Sequence, residues 1–199
     1  MSRWARRRVR PDGRGGYALR LPRPEQDLLT SLPAQLDALL SSLDPDALEG
    51  AELPPTLSRL LPPAYLHDDG AEAAYARSTR AELLAGRRDG LAVLARVAES
   101  LTATPAELEA ACSALNDLRL VLGTSLEVTE EPASFDESDP AFPQWVCYGY
   151  LSAFQAELID ALCDALPPPA PGADDEVPED PWGDPLGGLR WDGTPLPGH

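Results

Sequence analysis

Ala114-Leu-Asn-Asp-Leu-Arg-Leu-Val-Leu-Gly-Thr124 places three polar side chains inside an otherwise apolar helical run. Leu115, Leu118 and Leu122 recur at helical spacing and are expected to face a core, with Asn116, Asp117 and Arg119 between them. Polar groups at such positions need partners. One reading has the trio bonding to neighbouring backbone and ion-pairing with another helix. The other has Asp117 and Arg119, on different sides of the helix, forming a partner surface beside Val128–Glu131, since Arg suits bidentate recognition of a carboxylate.

Working outward, Thr104-Pro105-Ala106-Glu107 combines a capping Thr, a first-turn Pro and a Glu placed to bond back, so the helix is expected over Pro105–Leu122, stopping at Gly123. Val128 to Phe142 is polar and contains prolines, which predicts a loop. A last helix is expected over Pro143–Leu166, with Trp145, Tyr148, Leu151, Leu158 and Leu162 near one face. Upstream, Ala71–Leu101 is rich in helix formers, with Gly86 and Gly90 as points where the helix is expected to divide. Leu57–Leu61 predicts a short helical piece between proline pairs. Pro24 opens a helix whose stripe is Leu28, Leu29, Leu32, Leu36, Leu39, Leu40 and Leu43, with Pro33 expected to kink or restart it.

The segment Arg8-Val-Arg-Pro-Asp-Gly-Arg-Gly-Gly-Tyr-Ala-Leu-Arg-Leu21 reads as two short strands around a glycine-rich turn. From Pro167 onward, nine prolines and seven acids stand against one Arg, too little apolar area to offset the entropy of ordering. The fold class is therefore mainly α: an Arg-rich β-hairpin arm (1–23), a compact helical domain (24–166) and a disordered acidic Pro-rich tail (167–199). Trp182 and Trp191 are the tail's large apolar side chains.

Charge narrows the function classes. The chain of 199 residues has a formal net charge of −17, yet residues 1–23 carry eight Arg and one Asp. The remainder is a polyanion that repels phosphates, so DNA contact is expected only through the arm, where Arg6, Arg7, Arg8 and Arg10 cluster. Contact with protein or with the chain itself is the favoured role for these four. No run approaches the ~20 apolar residues of a membrane span. Cys112, Cys147 and Cys163 form neither a C-x-x-C motif nor an even secreted set, which implies a reduced, cytoplasmic protein.

Catalytic patterns are scarce. His67-Asp68-Asp69 offers hard ligands, but three adjacent loop residues rarely converge on one ion, and a helix-capping acidic loop is the expected role. There is no G-x-S-x-G and no P-loop. Neither an enzyme nor a cofactor or metal is expected. The cysteines, on the two best-defined helices, read as small buried hydrophobes rather than redox groups. Cys147 and Cys163, 16 residues apart, would be about 24 Å apart on one helix and could not bond to each other. Only Cys112 with Cys147 or Cys163 leaves an intramolecular bridge open.

Several segments taken together carry a resemblance. They are the Arg-rich start from Arg6 to Leu21, E-Q-D-L-L-T-S-L-P-A-Q-L-D-A-L-L from Glu25, P-P-A-Y-L-H-D-D-G from Pro62, the Ala114–Thr124 motif with V-T-E-E after it, and Y-G-Y-L-S-A-F-Q-A-E-L-I-D-A-L from Tyr148. In these the chain resembles an actinobacterial domain-of-unknown-function family described as AosR-type oxidative stress transcriptional regulators. Cys112 and Ser125 depart from the family pattern, which usually has a Trp and a basic residue there. The resemblance implies transcription regulation through contact with the transcription machinery, with a sigma factor as one partner. The alternative is an interaction adaptor linked to proteolysis or sulfur metabolism, without DNA binding. The resemblance also implies oxidant sensing, but the first 111 residues contain no thiol, so an N-terminal thiol pair is absent.

Overall fold

A computed structural model describes residues 7–43, 54–65, 67–129 and 137–166. Arg6 and the 167–199 tail with its two tryptophans lie outside the described residues. Three short strands and five helices follow in the order β1 (Val9–Pro11), β2 (Tyr17–Leu19), α1 (Arg23–Ser41), α2 (Pro55–Ser58), α3 (Asp69–Ser100), β3 (Thr102–Ala103), α4 (Pro105–Ser125) and α5 (Phe142–Cys163). The mainly α fold with an N-terminal hairpin is as the sequence predicts.

The hairpin turn is built as its composition requires. Gly13 and Gly15 take positive φ values, and Asp12 Oδ1 accepts from the backbone N–H groups of Arg14 and Gly16. The sequence reading missed one strand. β3 extends the hairpin to a three-stranded antiparallel sheet, with Tyr17 opposite Ala103. It forms because Leu101 takes the left-handed conformation at the end of α3, turning the chain back beside β2 before Thr104 starts α4.

The helices pack in sequence, α1 on α3, α3 on α4 and α4 on α5, with α2 against α4 and β1 against α5. Leu29, Leu36 and Leu40 of α1, Leu91 and Leu94 of α3, Leu108 and Leu115 of α4, and Leu151, Phe154 and Leu158 of α5 form one buried core. Burial of these side chains is the main stabilising term, at roughly 1.5–3 kcal/mol each.

Four expectations about the helices need correction. Pro33 does not restart α1; it lies buried inside the helix and takes a place in the packed stripe, whereas Leu39 is exposed. Gly86 and Gly90 do not divide α3, which runs unbroken for 32 residues because a long packed interface overrides two weak formers. Gly123 does not stop α4, which continues to Ser125 and ends beside Glu127, at positive φ. Gly123 serves close packing instead: a Cβ there would lie 3.1 Å from Tyr148 Cε2. The last helix starts one residue before Pro143 and ends at Cys163.

Candidate functional site

The polar trio of α4 divides among three environments. Asn116 is exposed. Asp117 is buried and faces α3, where it accepts from Arg87; burial pushes its carboxyl above the usual range, and the Arg87 guanidinium pulls it back down. Arg87 also donates to the backbone carbonyl of Leu60, just after α2. One guanidinium therefore ties α3 to α4 and to the chain following α2. Asp117 thus makes the interhelical ion pair that one sequence reading anticipated.

Arg119 projects toward α5. Its Nε donates to Ser152 Oγ at 2.9 Å, its Nη1 donates to Gln155 Oε1, and its guanidinium lies 5.5 Å from the centre of the Tyr148 ring. The supports are themselves fixed. Ser152 donates to the Tyr148 carbonyl at 2.8 Å, and Gln155 donates to the Cys112 carbonyl at 3.2 Å. Arg119 is oriented by neutral acceptors and an aromatic face, and no carboxylate pairs with it among the described residues.

That distinction matters in so acidic a chain. Arg7, Arg8, Arg23, Arg80, Arg87, Arg88 and Arg96 each meet a carboxylate within 3.2 Å. Among the described residues, Arg59 and Arg119 do not, and both line one groove of about 420 Å³ with Leu120, Gly123, Thr124, Glu127, Val128 and Tyr148. Arg59, at the end of α2, is held in place by its buried neighbours Leu57, Leu60 and Leu61. The sequence placed Arg119 beside Val128, but it gave no sign of Arg59, which sits 60 residues upstream in an unremarkable proline-flanked stretch.

The arm arginines are engaged within the chain. Arg7 donates to Asp160 at 2.7 Å and to Asp164 at 2.8 Å. Arg8 pairs with Glu157 at 2.9 Å and with Glu25 at 3.2 Å, and it lies over the Tyr150 ring. Arg10 Nε donates to the carbonyl of Arg7. Tyr150 completes this cluster by donating to Glu25 at 2.9 Å; burial and the Glu25 charge push its phenol well above the ordinary range. The signal that could have found the clamp is the spacing Glu157, Asp160, Asp164, which places three acids on one face of α5.

Asp68 caps α3 by accepting from the Ala71 N–H at 2.9 Å, the role expected for that acidic loop. Among the described residues, no three His, Cys, Asp or Glu side chains converge as a metal site. Cys112 and Cys147 are half-buried, and burial pushes both thiols up; Gln155 and Arg119 oppose this at Cys112 without reversing it. Cys163 is exposed rather than buried, because it closes α5 on the face turned away from the core. No described helix is long and apolar enough to cross a membrane.

The family model with the description "Domain of unknown function (DUF2017)" matches residues 1–162. No curated protein and no solved structure matches the chain.

Proposed function

We propose that this chain, which belongs to the Domain of unknown function (DUF2017) family, is a non-enzymatic, cytoplasmic transcription regulator of the AosR type. It acts by contact with a protein of the transcription machinery, such as a sigma factor. The observation that carries this reading is the partition of its arginines. Arg7 and Arg8 of the arm are paired with acids on and just after α5, whereas, among the described residues, Arg59 and Arg119 meet no carboxylate and share a groove. A body this acidic gains nothing from phosphates, and releasing the arm would sacrifice its ion pairs.

The test is a pull-down with the full chain from reduced and oxidised lysate of the source cells, beside a gel shift at about 0.15 M salt. Capture of a transcription component without a DNA shift is the expected outcome. A sequence-specific shift would move the reading to direct DNA binding. Capture of a protease or a sulfur-metabolism enzyme would replace it with the adaptor role.

A further inference from the structure

We propose that the Arg59–Arg119 groove is a carboxylate-binding site that takes an acidic segment of the partner protein, one in which an Asp or Glu lies beside an apolar residue. This rests on the partner reading above and specifies its chemistry. Three features of the groove point to it.

The first is charge selection. Among the described residues, Glu127 is the one acid that lines this groove, and it makes no ion pair with either guanidinium. Among the described residues that line it, two cations exceed one anion, which gives this lining a net positive charge in a polyanionic chain. An acidic side chain is attracted by this island and repelled by the surface around it, so the groove selects where an acidic segment docks.

The second is preorganisation. Arg119 uses Nε and Nη1 on Ser152 and Gln155, while its Nη2 has no hydrogen bond among the described residues. The Ser152 and Gln155 bonds fix its guanidinium over Tyr148, so the remaining edge is presented with little further loss of rotamer freedom. Arg59 is placed by the Leu57, Leu60 and Leu61 anchors, and the Leu60 carbonyl is itself held by Arg87. The Asp117–Arg87 pair thus braces one wall of the site, and Arg119, two residues on from Asp117, forms the other.

The third is the apolar complement. Val128 is exposed, and with Leu120 and the edge of Tyr148 it gives the groove a greasy flank. Gly123 lets Tyr148 approach α4 closely at this point. A carboxylate on the two guanidiniums with a neighbouring apolar side chain on Val128 matches that lining better than a small inorganic anion does.

The experiment uses the full chain with a photo-crosslinking benzoylphenylalanine at Val128, irradiated in lysate of the source cells, with crosslinked peptides sequenced. The expected product joins position 128 to an Asp- or Glu-containing segment of another protein, and its yield falls about tenfold in Arg59→Ala while Arg59→Lys retains part of it. Among the described residues, the Arg59 guanidinium makes no hydrogen bond or ion pair, so its variants are expected to keep the wild-type melting temperature. Crosslinks only to residues 130–136 or 167–199 of the chain itself, to a basic or uncharged segment, or with a yield indifferent to Arg59→Ala would overturn the assignment. A pull-down with the unmodified chain separates the two failures. A captured partner whose crosslinks avoid position 128 sinks the groove alone, and no captured partner sinks the partner reading with it.

Discussion

Arg8 donates to Glu157 twice, from its backbone N–H at 3.0 Å and from its guanidinium at 2.9 Å. One carboxylate thereby fixes both the path of the arm and the side chain that leaves it. Both side chains are less than a third exposed, so the pair is only partly screened. Glu157→Ala is expected to cost about 1–2 kcal/mol, measured by urea unfolding, and the cost should shrink in 1 M salt. A change below a few tenths of a kcal/mol would mean that the sheet alone holds the arm.

Releasing the whole clamp tests what the arm does when it is freed. In a Glu157→Gln, Asp160→Asn, Asp164→Asn variant, Arg7 and Arg8 lose their carboxylates on α5. Nonspecific DNA affinity should then rise above the wild-type level, with a steeper dependence on salt, because each freed guanidinium can displace a counterion. Equal, strong DNA binding by both proteins would show that the arm reads nucleic acid from its clamped position.

The Arg87–Asp117 pair gives a pH test. Arg87→Met leaves the buried Asp117 carboxylate without its cation and the Leu60 carbonyl without its donor. A loss of about 2–4 kcal/mol is expected near neutral pH, somewhat below the range for fully buried pairs because Arg87 is partly exposed. The sign follows from burial, which already raises the carboxyl above its unfolded value, and removing Arg87 raises it further. Stability of the variant is lost as pH rises through the interval between the unfolded and the raised folded value. It is recovered as pH falls and Asp117 takes up a proton. The gap between variant and wild type should therefore narrow on acidification. A gap that widens would contradict this account.

Local chemistry was legible in the sequence where it is self-contained. The Thr104–Glu107 capping box forms with both of its bonds, and Gly13 and Gly15 sit where the hairpin turn needs positive φ. Asp68 caps α3 for the same reason, since its partner is three residues away. Long-range context was not legible. Gly123 looked like a terminator because its real neighbour, Tyr148, lies on another helix, and Pro33 looked like a break because its burial against α3 is invisible locally. Within the candidate site, Arg119 stood out as a charge among leucines. Arg59 did not, since its place depends on how α2 lies against α4.

Gly86 offers a stabilising substitution. It lies inside α3, and a Cβ there would meet nothing within 4 Å. Gly86→Ala should therefore gain about 0.5–1 kcal/mol by restricting the unfolded chain, which corresponds to a rise of roughly 1–4 °C in Tm for a domain of this size. A lower Tm would show that α3 needs its flexibility at this point.

The cysteines test whether the oxidant sensing that the sequence resemblance implies could run through this chain's own thiols. Thiolate is the reactive form, and burial pushes Cys112 and Cys147 above the ordinary thiol value, so both are mostly protonated at neutral pH. Cys163 is exposed at the end of α5. Alkylation by iodoacetamide, followed by mass spectrometry, should therefore modify Cys163 first, with Cys112 and Cys147 lagging about tenfold or more until the protein is unfolded. Arg119→Ala should slow Cys112 further, because that guanidinium is the cation that favours its thiolate. Under mild peroxide treatment no Cys112–Cys147 or Cys112–Cys163 pair should form, and regulation would not run through the protein's own thiols. A rapid disulfide between Cys112 and either of the others, or alkylation of Cys112 ahead of Cys163, would overturn this and make the α4–α5 junction the sensor.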